Sequence, residues 1–148
     1  KEGLQKKNLH IKKEYVDTSK AKFVYRNFAF YGPESFAAAE ALECAKDQNK
    51  FWQYHDGLFE AEIKDGKGNN GSITRDLLVR LAEELGLDAR NFAVCVDSKK
   101  YGDLIKVGNA AASSIGVNGT PMTFINGELT RGAQPFETFQ VAIEKYLK

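Results

Sequence analysis

The residues best suited to redox or metal chemistry in this sequence are its two cysteines, Cys44 and Cys95, and its two histidines, His10 and His55. The cysteines do not form a Cys-x-x-Cys pair, and the spacing of these four residues is a poor match to a zinc site. Nothing in the sequence places either thiol at a helix N-terminus beside a basic group, where a cysteine becomes reactive. The residues alone therefore leave two alternatives open: buried free cysteines that act as small hydrophobic residues, or one disulfide.

A second candidate for function is the stretch 117–128. Gly119-Thr120-Pro121 is typical of a turn, and the β-branched and apolar residues 122–125 predict a short strand. Asn126-Gly127 indicates a two-residue hairpin, because a type I′ turn needs two positive φ angles. Pro121 then lies directly before a strand, where its missing N–H costs least. It is a candidate for a cis peptide bond, although only a small minority of X–Pro bonds are cis.

Segments with helical periodicity lie before and after this hairpin along the chain, and the helices that they predict must position it. Residues 22–28 have an alternating pattern of side chains around Phe23, Val24 and Tyr25, which predicts a strand. Ser72 and Asp88 are predicted helix N-caps, and Gly86 is the predicted stop of the helix that begins at Ser72. The predicted helices cover 1–17, 34–47, 50–63, 72–85, 88–95, 98–115 and 135–147.

Several segments, in this order along the chain, resemble DsbA-like thioredoxin-fold proteins. They are Phe23–Phe28, Ala38–Ala41 with Cys44, Lys50–Asp56 with Leu58-Phe59, Cys95–Ser98 with Tyr101, and Val117–Pro121 with Asn126-Gly127 and Gly132–Pro135. The resemblance implies an α/β fold: a thioredoxin-like sheet with an inserted helical subdomain at about 33–115. It also implies that residues 1–148 form one domain.

The same resemblance implies a thiol–disulfide oxidoreductase of the DsbA type, which forms or exchanges disulfides in exported proteins through a mixed disulfide. Gly119, Thr120 and Pro121 would bind the substrate. A cis Pro121 would keep a main-chain N–H away from the reactive sulfur and turn Thr120 outward, where an extended polypeptide can pair with it. The implied partners are extended thiol-containing polypeptides and a membrane redox partner, the implied location is extracytoplasmic (periplasm or cell-envelope exterior), and no cofactor is implied.

The first strand and the Cys-x-x-Cys motif of that family have no counterpart in this chain, since Lys1 aligns just after the second cysteine of the motif. We considered three explanations: a fragment of a longer protein, a degenerate relative, or an unusual redox role for Cys44 and Cys95. The chain as given is therefore expected to be inactive. The alternative functions are a redox-inactive module that binds extended polypeptides, and a glutathione-binding relative.

For the two cysteines, the resemblance favours one structural disulfide between Cys44 and Cys95, because relatives carry paired cysteines at corresponding places. Closing a loop of this length would stabilise the fold by about 4 kcal/mol in the chain-entropy model. A structural disulfide would also imply an oxidising compartment.

Composition sets limits on the function. The chain has 148 residues and a net charge of +1, which gives no electrostatic case for nucleic-acid binding. Charged residues make up 28% and hydrophobic residues 43% of the chain, as in soluble globular proteins. No apolar run approaches the roughly 18 residues that suggest a membrane span, and no signal peptide is recognisable.

Overall fold

The structure, a computed structural model, describes residues 10–65 and 70–147. Its contacts divide the chain into two compact units. The helical unit is Asn27–Gly116, and the hairpin unit contains the described residues up to Arg26 and from Val117 onward. The assignment of residues 1–148 to one domain, with a helical insertion at about 33–115, stays a prediction.

The elements follow the predicted order except at one position. After a π-helical turn at Lys12–Val16 come the helices and strands α1 (Pro33–Asp47), α2 (Phe51–Asp65), α3 (Arg75–Glu84), α4 (Ala89–Asp97), α5 (Gly102–Ser114), β1 (Met122–Ile125), β2 (Glu128–Arg131) and α6 (Phe136–Glu144). The first part of the predicted helix 1–17, positions 1–9, lies outside the described residues. Among the residues described, no helix is long and apolar enough to cross a membrane.

The predicted strand at 22–28 is absent, because residues 21–30 have no regular hydrogen-bonded structure. Their burial still alternates as in a strand: Ala21, Phe23 and Tyr25 are half-buried, and the residues between them are exposed. Burial raises the pKa of Tyr25 to about 12. In the part of the chain that is described, the sheet contains only β1 and β2, so this extended segment has no strand to pair with.

The hairpin forms as predicted, with Asn126 (φ 46°) and Gly127 (φ 90°) in its turn. The pairing of β1 with β2 runs from Ile125–Glu128 to Met122–Arg131. Side chains alternate between the two faces of a strand, and Ile125 packs against a core cluster of Ile11, Tyr15 and Phe139. This cluster ties the hairpin to α6 and to the N-terminal helical turn of the same unit.

In the helical unit, α1 is the central element and contacts α2, α3, α4 and α5. The predicted cap at Asp88 is confirmed, since its side chain accepts a hydrogen bond from the Asn91 N–H. The predicted cap at Ser72 is wrong. Thr74 caps α3 instead and accepts from the Leu77 N–H, because helical backbone angles begin only at Arg75.

Asn109 anchors the irregular segment that leads into α1. Its side-chain amide donates to the carbonyl oxygen of Ala29 (2.6 Å) and accepts from the Ala29 N–H (3.0 Å). Ala29 is buried, at 2% exposed, and packs with Ile105 and Ala39. One amide therefore satisfies both main-chain groups of a residue that no strand or helix includes.

We expect Asn109→Ala to lower the free energy of unfolding by about 1–3 kcal/mol, because it leaves the buried donor and acceptor of Ala29 without partners. Urea denaturation followed by circular dichroism measures the effect. Ser113→Ala, an exposed change on the same helix, is the matched control and should alter stability by no more than about 0.5 kcal/mol. Equal stability of the two variants would contradict this role for Asn109.

Candidate functional site

The candidate substrate loop connects α5 to β1 and contains Gly119, Thr120 and Pro121. The helix ends at Ser114, and Gly116 (φ 86°) takes the left-handed conformation that redirects the chain. The Thr120–Pro121 peptide bond is cis. Asn118 and Thr120 are exposed, and Gly119 and Pro121 are half-buried. The structure thus places the three predicted residues together on the surface at the entrance to β1.

Residues beyond β2 hold this loop in place. The Gly132 N–H donates to the Pro121 carbonyl oxygen (2.9 Å), which continues the hairpin pairing by one position. The Gln134 side chain donates to the carbonyl oxygen of Arg131 (2.9 Å). Sequence reasoning recognised Gly132 and Gln134 as part of the resemblance but gave them no role. For Gly132, the signal that could have revealed a role is its position opposite Pro121 once the hairpin register is fixed.

The main chain at Thr120 is open to a partner. Among the described residues, none donates to or accepts from its N–H or carbonyl group. A Cβ atom built on Gly119 would meet nothing within 4 Å, and no positive φ is required there. The loop therefore combines exposed, unbonded main-chain groups with free space beside them, which is what pairing with an extended polypeptide requires.

The second candidate site is the cysteine pair, which lies in the helical unit. Cys44 on α1 and Cys95 on α4 form a disulfide with an S–S distance of 2.01 Å and a Cα–Cα distance of 6.0 Å. Cys44 is buried, at 1% exposed, and Cys95 is half-buried. Both lie inside their helices rather than at an N-terminus, so neither thiol receives the stabilisation that makes a cysteine reactive.

The expectation that the chain as given is inactive is wrong, because it contains this formed disulfide. A disulfide is one half of a thiol–disulfide couple. The chain therefore carries an oxidised cysteine pair although it has no Cys-x-x-Cys motif.

A charged cluster lies near the disulfide, one helical turn after Cys44. The Asp47 carboxylate accepts hydrogen bonds from the Lys100 ammonium group (2.7 Å) and from the Tyr101 hydroxyl. These two hydrogen bonds, that of Lys100 first, lower the pKa of Asp47. The cluster joins the end of α1 to the segment between α4 and α5.

His55 belongs to an aromatic cluster on α2. The residue is 6% exposed, and its ring centroid lies 4.6 Å from that of Phe59 and 5.6 Å from that of Trp52. Its Nδ1 atom is 2.9 Å from a carboxylate oxygen of Asp56. This environment favours the interpretation of His55 as a packed residue. In the described part of the chain, no group of His, Cys, Asp and Glu side chains is placed to hold a metal ion.

Comparison with known proteins decides the family. A family model described as thioredoxin matches residues 3–145. The chain belongs to the thioredoxin family. The oxidised form of BdbD from Bacillus subtilis superposes with a TM-score of 0.79 at 24% identity, over 94% of this chain and 75% of that one. The predicted α/β thioredoxin-like fold and the resemblance to DsbA-like members are confirmed.

Curated relatives in this thioredoxin family are named for disulfide chemistry. A probable disulfide bond formation protein D of Bacillus anthracis is 31% identical over 143 residues, which are 93% of this chain and 63% of that protein. A putative protein-disulfide oxidoreductase of Rickettsia felis is 30% identical over 139 residues, which are 93% of this chain and 48% of that protein. The chain thus spans less than two thirds of the length of these relatives.

The disulfide should contribute strongly to stability. We expect the double variant Cys44→Ala/Cys95→Ala to lose about 4 kcal/mol of unfolding free energy, because the unfolded chain is no longer closed into a loop. Alanine is chosen since a serine hydroxyl at buried Cys44 would need a hydrogen-bond partner. Urea denaturation measures the loss. Wild-type protein unfolded without reductant should show no titratable thiol, and reactive thiols there would contradict the disulfide.

Asp47 should make stability depend on pH. Its pKa is lowered in the folded state, so its contribution is present above the unfolded carboxyl pKa of about 3.9 and is lost as the pH falls through the folded pKa. We expect Asp47→Asn to cost at most about 1 kcal/mol at neutral pH, because the pair is partly exposed. This cost should vanish in acid. Asp103→Asn, at a far more exposed carboxylate, is the control, and a cost that persisted in acid would contradict the assignment.

Proposed function

We propose that the protein containing this chain is a DsbA-type thiol–disulfide oxidoreductase that forms or exchanges disulfides in exported proteins. The observation that carries the proposal is the open main chain at Thr120, beside Pro121, in a chain of the thioredoxin family. The names of the curated relatives, disulfide bond formation protein and protein-disulfide oxidoreductase, support the same chemistry.

The role of Gly119, Thr120 and Pro121 in this proposal is to bind the polypeptide that is oxidised. An extended segment pairs with the N–H and carbonyl groups of Thr120, which none of the described residues occupies. Gly119 leaves room for the segment to approach. Pro121 has no N–H, so the main chain at this position offers no donor to a sulfur atom. Affinity in such pairing comes from main-chain hydrogen bonds, which substrates of many sequences can form.

The chemistry is exchange through a mixed disulfide. A substrate thiolate attacks one sulfur of the Cys-x-x-Cys disulfide typical of the family, a motif with no counterpart in residues 1–148. The attack forms a mixed disulfide and releases the other enzyme sulfur as a thiolate. A second substrate thiolate then attacks the substrate sulfur of the mixed disulfide and releases the first enzyme sulfur. The substrate dithiol is oxidised to a disulfide, and the enzyme disulfide is reduced to a dithiol. A membrane redox partner would reoxidise the enzyme.

In the same proposal, Cys44–Cys95 is a structural disulfide. Cys44 is buried in the last turn of α1, so a substrate thiolate has no direct path to its sulfur. A persistent structural disulfide also fits an oxidising, extracytoplasmic location, the periplasm or the exterior of the cell envelope.

We test the proposal in the natural full-length protein by following disulfide transfer to a reduced, unfolded protein. Pro121→Ala should lower the transfer rate about ten-fold or more, a difference of about 1.4 kcal/mol, because it introduces an N–H at the polypeptide site. Pro135→Ala, an exposed proline before α6, is the matched control and should keep the wild-type rate.

Gly119→Ala is the second variant, chosen because its methyl group meets no atom in the folded chain. It should unfold at the same urea concentration as wild type and still transfer disulfides more slowly. An unchanged transfer rate in both Pro121→Ala and Gly119→Ala would overturn the assignment of this loop. A wild-type protein that transfers no disulfide would overturn the function itself.

A further inference from the structure

The sequence contains three Asn-Gly pairs, at Asn70, Asn118 and Asn126. Asparagine is a chemically labile residue. In an Asn-Gly pair the glycine main-chain nitrogen can attack the side-chain carbonyl carbon of asparagine, and ammonia leaves as a five-membered succinimide forms. Water then opens the ring at one of its two carbonyls and gives aspartate or isoaspartate. Glycine permits this step because it has no side chain to block the approach.

The structure restrains the pair Asn70-Gly71. The Gly71 N–H donates to a carboxylate oxygen of Glu34, so the attacking nitrogen is held by a charged acceptor. The side-chain oxygen of Asn70 accepts a hydrogen bond from the Ser72 N–H (3.0 Å). These two hydrogen bonds hold the Asn70 side chain and the Gly71 nitrogen in their present positions, so ring closure at this pair must move these groups against them.

The pair Asn126-Gly127 is restrained in a different way. Both residues have positive φ, 46° and 90°, and form the whole of the hairpin turn. Ile125 and Glu128 on either side are paired across the strands. Forming a succinimide ring within this two-residue turn changes its main-chain geometry, which the paired strands oppose.

Asn118-Gly119 has neither restraint. It lies between α5 and β1, outside any helix or strand, and Asn118 is exposed. Among the described residues, none forms a hydrogen bond with the Asn118 side chain or with the Gly119 N–H. A Cβ atom built on Gly119 would meet nothing within 4 Å, as at Gly71 and Gly127, so the pairs differ in their hydrogen bonds and strand pairing. We propose that Asn118 is a site of spontaneous modification, at which the folded protein converts to aspartate and isoaspartate ahead of its two other Asn-Gly pairs.

The modification has a consequence that rests on the proposed function. Isoaspartate adds one methylene group to the main chain and places a carboxylate beside Gly119, directly before Thr120 and Pro121. An extended polypeptide that pairs with Thr120 would then meet a displaced main chain and a new negative charge. Modified protein should therefore transfer disulfides more slowly than fresh protein.

The test incubates the folded full-length protein in mildly alkaline buffer and follows each Asn-Gly pair by peptide mass spectrometry, with isoaspartyl methyltransferase labelling to identify isoaspartate. Asn118 should convert about ten-fold faster than Asn70, the factor for a barrier difference of about 1.4 kcal/mol, because a hydrogen bond to a charged group must break at Gly71. It should also convert faster than Asn126. Equal or slower conversion at Asn118 would overturn the proposal.

Two controls separate structure from local sequence. In denaturant the three pairs should convert at similar rates, because glycine follows asparagine in each; a persisting preference for Asn118 would mean that the fold is not its cause. Gly119→Ala should slow conversion at Asn118 and leave Asn70 and Asn126 unchanged.

Activity is measured separately, with fresh protein, aged protein and Asn118→Gln after the same incubation. Aged wild type should lose transfer rate and Asn118→Gln should not. If Asn118 converts while the rate stays constant, the effect on the substrate loop is wrong and the modification site stands. If fresh protein transfers no disulfide, the proposed function fails, and the mass measurement still decides the modification site.

Discussion

The register of the hairpin is the constraint on which the geometry of the candidate substrate loop depends. The turn at Asn126-Gly127 pairs Ile125 with Glu128. This first pair fixes which residues lie opposite each other along the rest of the two strands. Ile125 is thereby placed on the core face, and Pro121 is placed opposite Gly132. A shift by one residue would exchange the two faces of each strand. It would expose Ile125 and separate the Pro121 carbonyl from the Gly132 N–H.

The helical unit is organised differently, around one helix rather than one turn. The four other helices of the unit all contact α1, and the disulfide fixes α1 to α4. Tyr54 on α2 is fully buried, and its hydroxyl donates to the Leu78 carbonyl on α3 (2.9 Å). The side chain of Asn109 then holds the entry segment at Ala29. In the helical unit, hydrogen bonds from single side chains join segments that are distant in sequence. In the hairpin unit, the main-chain hydrogen bonds between β1 and β2 have this role.

The sequence predicted those features whose causes are local. The hairpin is encoded by two adjacent residues, and the cap at Asp88 by one polar side chain before a helix. The strand at 22–28 could not be judged locally, because alternation predicts an extended segment but a strand also requires a partner. The same limit applies to Asn109, whose two bonds to Ala29 span 80 positions. The disulfide was predicted from the resemblance, because the residues alone left free thiols as an alternative.

Gly119 shows how the substrate loop differs from the rest of the hairpin unit. Gly127 and Gly132 have positive φ, so their backbone conformations explain why glycine suits those positions. Gly119 has no such angle, and a Cβ atom there would meet no neighbour. The fold therefore does not require glycine at position 119. The proposed function gives glycine a use there, because an extended polypeptide that pairs with Thr120 needs the space that a side chain would fill. The proposed modification at Asn118 also depends on the Gly119 N–H, which forms no hydrogen bond with any described residue, so both proposals depend on the same unbonded stretch of main chain.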